Sequence, residues 1–123
     1  MYNRIKVPVK QGYGLTEYVP PSFFTNLRTS PTTHTQEWPH WRSHIGSIGK
    51  LLPNMECMIV DEDGKECETG KDGEVWMRGP NIFAGYLNNE EATRNSITSE
   101  GWFKSGDVGH VTEEGFDFHW DIF

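Results

Sequence analysis

Apolar positions gather into short runs in the second half of the chain. Glu56-Cys57-Met58-Ile59-Val60 predicts a strand, closed by the turn signal Asp63-Gly64. Glu74-Val75-Trp76-Met77-Arg78 alternates in part and predicts the next strand, which Gly79-Pro80 stops. Val108 to Val111 and Phe116 to Trp120 predict two more, around the turn Glu113-Glu114-Gly115. A short helix is expected near 89–98. Asn88 is placed to cap it, with Glu91 three residues on as in a capping box, and Gly101 follows. Near the start, Ile5-Lys6-Val7-Pro8-Val9 predicts an extended run that Pro8 confines to a sheet edge or strand end. The expected class is α+β, mostly antiparallel β.

The pattern divides the chain into four stretches. Residues 1–17 hold the first strand and a glycine-rich motif. Residues 18–44 carry Pro20, Pro21, Pro31 and Pro39 among Thr, Ser and His, and read as a long loop. Residues 45–118 form a β-rich unit, and 119–123 a short apolar tail. No internal repeat or low-complexity tract is present.

Composition narrows the function classes. Eleven basic against eighteen acidic residues give a net charge of −7. That excludes a general nucleic-acid binder, which needs a basic face to displace phosphate counterions. No run of about 18 apolar residues occurs, so no membrane span is expected. The first ten residues lack the apolar stretch of a signal peptide, which makes a cytoplasmic location the expectation. Cys57 and Cys67 flank the Asp63-Gly64 turn. A hairpin there would bring them roughly opposite, as a cross-strand disulfide or as two free thiols.

Two motifs carry candidate chemistry. In Gln11-Gly12-Tyr13-Gly14-Leu15-Thr16-Glu17, Gly12 and Gly14 permit close backbone approach to a flat ligand, and the Tyr13 face can stack on a purine. Thr16 offers a hydroxyl to a phosphate oxygen, and Glu17 a hard carboxylate to Mg²⁺. The same residues also read as a plain turn with an exposed tyrosine. In Lys104-Ser105-Gly106-Asp107, a loop carboxylate beside glycine can accept two hydrogen bonds from a ribose diol, or else cap its own turn. Other constellations fail. Asp61-x-Asp63-x-Lys65 starts like a calcium loop but has Lys65 at the third ligand position. His40 and His44 lie beside Pro39 without a Cys-x-x-Cys or His-Glu-x-x-His.

Between the two motifs stand Gly46-Ser47-Ile48-Gly49-Lys50, Gly73-Glu74-Val75-Trp76-Met77-Arg78-Gly79-Pro80 and Gly85-Tyr86-Leu87-Asn88-Asn89-Glu90-Glu91-Ala92-Thr93. In order and spacing these blocks resemble the adenylate-forming (AMP-dependent synthetase and ligase) superfamily, in its acyl-CoA synthetase and 4-coumarate–CoA ligase branch. The resemblance covers about 1–17 and 45–118. It implies that Gly12, Tyr13 and Gly14 line the adenine pocket, that Thr16 contacts the α-phosphate, that Glu17 holds Mg²⁺ and that Asp107 binds the ribose hydroxyls. The Gly73 to Tyr86 block would be structural. The implied reaction joins a carboxylic acid to ATP as an acyl-adenylate and then transfers the acyl group to CoA. The strands would belong to the distorted β-barrel at the end of the family's large domain, which makes this an incomplete domain.

The chain also departs from the family. These 123 residues contain no phosphate loop ending in Pro-Lys-Gly and no lid lysine. Ser105 stands where the family has Thr, and Ile122 follows Asp121 where it has Arg. The expectation is a fragment of an acyl-CoA ligase that is inactive alone, with Thr16 and Glu17 as catalytic remnants, unless a partner chain supplies the rest. A non-catalytic nucleotide- or partner-binding module and an unstable remnant are the alternatives.

Overall fold

The computed structural model describes residues 12–18, 23–24, 50–112 and 118–119. The expected strand at Ile5 to Val9 and the turn at 113–115 lie outside the described residues.

Glu56–Val60 (β4) and Gly73–Arg78 (β5) form the centre of the fold. They pair antiparallel from Glu56 opposite Arg78 to Val60 opposite Glu74. One end is clamped by a two-pronged ion pair, with Arg78 Nη2 2.5 Å and Nε 3.1 Å from the Glu56 carboxylate. At the other end Asp61 turns the chain. Its Oδ1 accepts from the backbone N–H groups of Asp63 (2.9 Å) and Lys65 (2.8 Å), so this carboxylate serves the turn.

The turn does not place the cysteines opposite each other. Cys67 N donates to Ile59 O at 2.8 Å, and Cys57 pairs instead with Met77. Both thiols are free. Burial pushes the Cys57 thiol up to about 12, which leaves it an unreactive apolar side chain.

Along β5 the pleat sends Val75 and Met77 into the core and leaves Glu74, Trp76 and Arg78 half-buried. Tyr18, Ile59, Val75, Met77 and Phe103 form the core cluster. The third strand of this sheet, Phe103–Val111 (β6), starts earlier than the apolar pattern predicts. Ser105-Gly106-Asp107 therefore lies within a strand rather than in a loop. It forms a bulge: Glu74 faces Val108 and Trp76 faces Lys104, so three residues of β6 oppose Val75 alone. Phe118–His119 (β7) pairs antiparallel with the end of β6.

A second, three-stranded antiparallel sheet joins Gly12–Tyr13 (β1), Phe23–Phe24 (β2) and Lys50–Leu51 (β3). β2 falls in the stretch expected to be loop. It begins just past Pro20-Pro21, which cannot donate to a ladder, and adjacent aromatic residues favour pleated backbone.

The helix is Glu90–Ser96 (α1), and its cap is Asn89, not Asn88. Asn88 takes the left-handed conformation, φ 56°, and closes the preceding turn. Asn89 Oδ1 accepts from Ala92 N at 3.0 Å. With Ala92 at the third helical position, no acidic side chain returns the bond, so no capping box forms.

Candidate functional site

The glycine-rich motif folds as β1 followed by a tight turn, in which Tyr18 N donates to Leu15 O at 3.2 Å. Thr16 and Glu17 are its central residues. Phe83 N donates to Glu17 O at 2.8 Å, and Tyr18 bridges to Ile82, so the turn is tied to the segment after β5.

The two chemical motifs meet. Tyr13 Oη donates to Asp107 Oδ2 at 2.6 Å, joining residues 94 positions apart. Burial, and then this bond to a carboxylate, raise the Tyr13 phenol well above its ordinary range and keep it a donor. Asp107 is held from behind as well, because its backbone N–H donates to Ser105 Oγ at 3.1 Å. The Ser105 hydroxyl thus shapes the bulge.

A groove of about 430 Å³ has Glu17, Glu74, Tyr86, Lys104, Ser105 and Gly106 among its walls, whereas Tyr13 and Asp107 do not line it. Glu17 Oε1 accepts from Tyr86 Oη at 3.0 Å, and this bond raises the Tyr86 phenol. Tyr86 is anchored in turn by Thr93, whose Oγ1 accepts from Tyr86 N at 2.9 Å and donates to Asn89 O at 2.9 Å. Gly85 is required there, since a Cβ would stand 2.6 Å from the Thr93 methyl. Glu74 Oε1 accepts from Gly106 N at 3.0 Å and its Oε2 from Trp76 Nε1 at 2.8 Å.

Of the residues singled out from sequence, Tyr13 and Asp107 are in contact and Glu17 lines the groove. Gly14 and Thr16 are exposed on the motif, and Gly12 lies on β1. The resemblance implies a structural role for the block from Gly73 to Tyr86, yet Glu74 and Tyr86 both line the groove. No local pattern marks them, because their partners lie 32 and 69 positions away.

Residues 1–87 match the AMP-binding enzyme family. The chain belongs to that family. This family member is 42% identical over 113 residues to a probable CoA ligase of Humulus lupulus, covering 91% of this chain and 18% of that protein. It is 39% identical over 119 residues to 4-coumarate–CoA ligase-like 2 of Arabidopsis thaliana, covering 94% and 19%. Among solved structures it is similar to the o-succinylbenzoate CoA synthetase of Bacillus subtilis bound to a product analogue. That match has a TM-score of 0.79 at 30% identity, covering 99% of this chain and 22% of the other. The same synthetase with its acyl-adenylate intermediate matches at a TM-score of 0.74 and 34% identity, covering 93% and 27%. The chain thus spans about a fifth of the length of the relatives it matches.

For the Mg²⁺ that the resemblance implies, the donors can be compared. Mg²⁺ commonly takes one or two carboxylates and completes its shell with water and phosphate. Glu17, a hard carboxylate on the groove wall, fits that role. Glu74, with both oxygens facing N–H donors, does not. Among the described residues no group of three His, Cys, Asp or Glu gathers into an all-protein cage.

Proposed function

We propose that this chain is the adenosine-binding part of an ATP-dependent acyl-CoA ligase of the 4-coumarate–CoA ligase type. The Tyr13–Asp107 contact carries the reading. It brings an aromatic face suited to a purine and a carboxylate suited to a ribose diol next to each other. In this reading Gly12 and Gly14 leave room for the base beside Tyr13. Asp107 accepts from the ribose hydroxyls, Thr16 donates to the α-phosphate, and Glu17 meets Mg²⁺ between protein and phosphates. When bound, Mg²⁺ would neutralise phosphate charge.

The whole reaction, a carboxylic acid and ATP to an acyl-adenylate and then to a CoA thioester, would need more than these residues. One preorganised group facing developing charge is worth roughly 10²–10³ in rate. A phosphate loop and a lid lysine supply several such groups, and neither is among the 123 residues. The chain alone should therefore bind ATP weakly and turn over none. A partner chain carrying those parts would complete the site.

The test is calorimetric titration of the 123-residue chain with ATP and Mg²⁺, beside Asp107→Ala. Saturable binding that the substitution weakens tenfold or more supports the reading. Equal heats from both proteins, or none up to millimolar ATP, overturn it.

A further inference from the structure

Extra residues in a strand leave backbone N–H groups without ladder partners. In the β6 bulge two of the three backbone N–H groups are taken by side chains. Ser105 Oγ takes the Asp107 N–H at 3.1 Å, and Glu74 Oε1 takes the Gly106 N–H at 3.0 Å. Glu74 sits on the neighbouring strand, opposite Val108 at the far end of the bulge, and its side chain reaches back to Gly106. Its other oxygen is fixed by the Trp76 indole N–H at 2.8 Å. Lys104 Nζ stands 5.2 Å above the Trp76 ring, so the indole is itself held by the residue that begins the bulge.

We infer that Glu74 is the positioning residue for Asp107. Its carboxylate pins the bulge backbone and so aims the neighbouring Asp107 side chain, which makes ribose recognition depend on Glu74. The inference rests on the adenosine reading above. The chemistry is specific to a carboxylate, because both partners are donors and the site needs two acceptors. Glutamine would turn an NH₂ toward one of the two N–H groups. Aspartate is one methylene short.

The test compares wild type with Glu74→Gln in two measurements. Amide hydrogen exchange by NMR reads the bulge directly, and exchange at Gly106 should accelerate tenfold or more in the variant. Titration with Mg²⁺–ATP and with Mg²⁺–2′,3′-dideoxy-ATP reads the ribose. Wild type should prefer the ribose form about tenfold, as expected for hydrogen bonds to a charged acceptor. In the variant that ratio should fall toward one while dideoxy affinity stays within about twofold, an outcome that a general loss of folding does not give. An unchanged Gly106 exchange rate, or a preserved ratio, overturns the proposal. Equal affinities in the wild-type chain overturn the adenosine reading itself, which is a different result. If Glu74→Gln fails to fold, Trp76→Phe carries the test. It removes one anchor of the carboxylate and should lower the ratio at least twofold, and an unchanged ratio overturns the proposal.

Discussion

Gly106 has a φ of 77°, and no atom lies within 4 Å of the place where a Cβ would stand. A substitution there meets backbone strain and nothing else. Gly106→Ala should cost about 1–2 kcal/mol, the penalty of a left-handed conformation for an L-residue with a Cβ. Urea unfolding would measure it, and a loss below about 0.5 kcal/mol would mean that the bulge relaxes. At this scale much was legible from sequence. Tyr13, Glu17 and Asp107 stand out because their side-chain chemistry suits parts of a nucleotide, with glycine beside Tyr13 and Asp107. Glu74 and Tyr86 did not, because a surface-type glutamate and a tyrosine after glycine acquire their roles only through partners on other elements.

The helix shows why an element's position is easier to read than its ends. Two asparagines precede α1, and either side chain can cap. The backbone decides between them. Asn88 is used to turn the chain at φ 56°, which leaves Asn89 in the non-helical conformation that a cap requires. Asn89→Ala should destabilise the fold by about 1 kcal/mol, whereas Asn88→Gly, relieving a positive φ, should be neutral or stabilising. Thermal unfolding of the two variants separates the roles, and the opposite order would restore Asn88 as the cap. β4 was legible to the residue, because its apolar run ends at an Asp-Gly turn. The beginning of β6 was not. Ser105-Gly106-Asp107 has loop composition, and only pairing with β5 on both sides of it makes that stretch part of a strand.

Over the whole molecule a file of aromatic rings runs through the fold. Tyr13 packs on Tyr18, Tyr18 on Phe103, Phe103 on Phe83 and Phe83 on Tyr86, with centroids 4.8–5.9 Å apart. The file runs from the partner of Asp107 to the partner of Glu17. This burial makes the fold sensitive to base. Burial is the leading cause of the raised pKa of Tyr13, Tyr18 and Cys57. Their protonated forms are favoured in the folded chain, so the stability they contribute is complete below the unfolded values and is lost as pH rises. The loss should begin near 9.0, where unfolded Cys57 titrates, and deepen above 10.0 with the tyrosines. Its slope is at most about 1.4 kcal/mol per pH unit for each group. Urea midpoints should be level from pH 7 to 8.5 and fall above 9, and Cys57→Ala should delay the fall to about 10. A midpoint unchanged to pH 11 would contradict the burial of all three. The antiparallel class was legible from the spacing of the runs, while the direct contact of residues 13 and 107 was not, because 94 positions separate them. That meeting also sets a clock. A ribosome adding roughly 5–20 residues per second needs about 5–20 s to travel the 94 positions from Tyr13 to Asp107. Throughout that interval the Tyr13 hydroxyl has no Asp107 carboxylate to meet. The Tyr13–Asp107 contact therefore forms only after all the residues between them have been made.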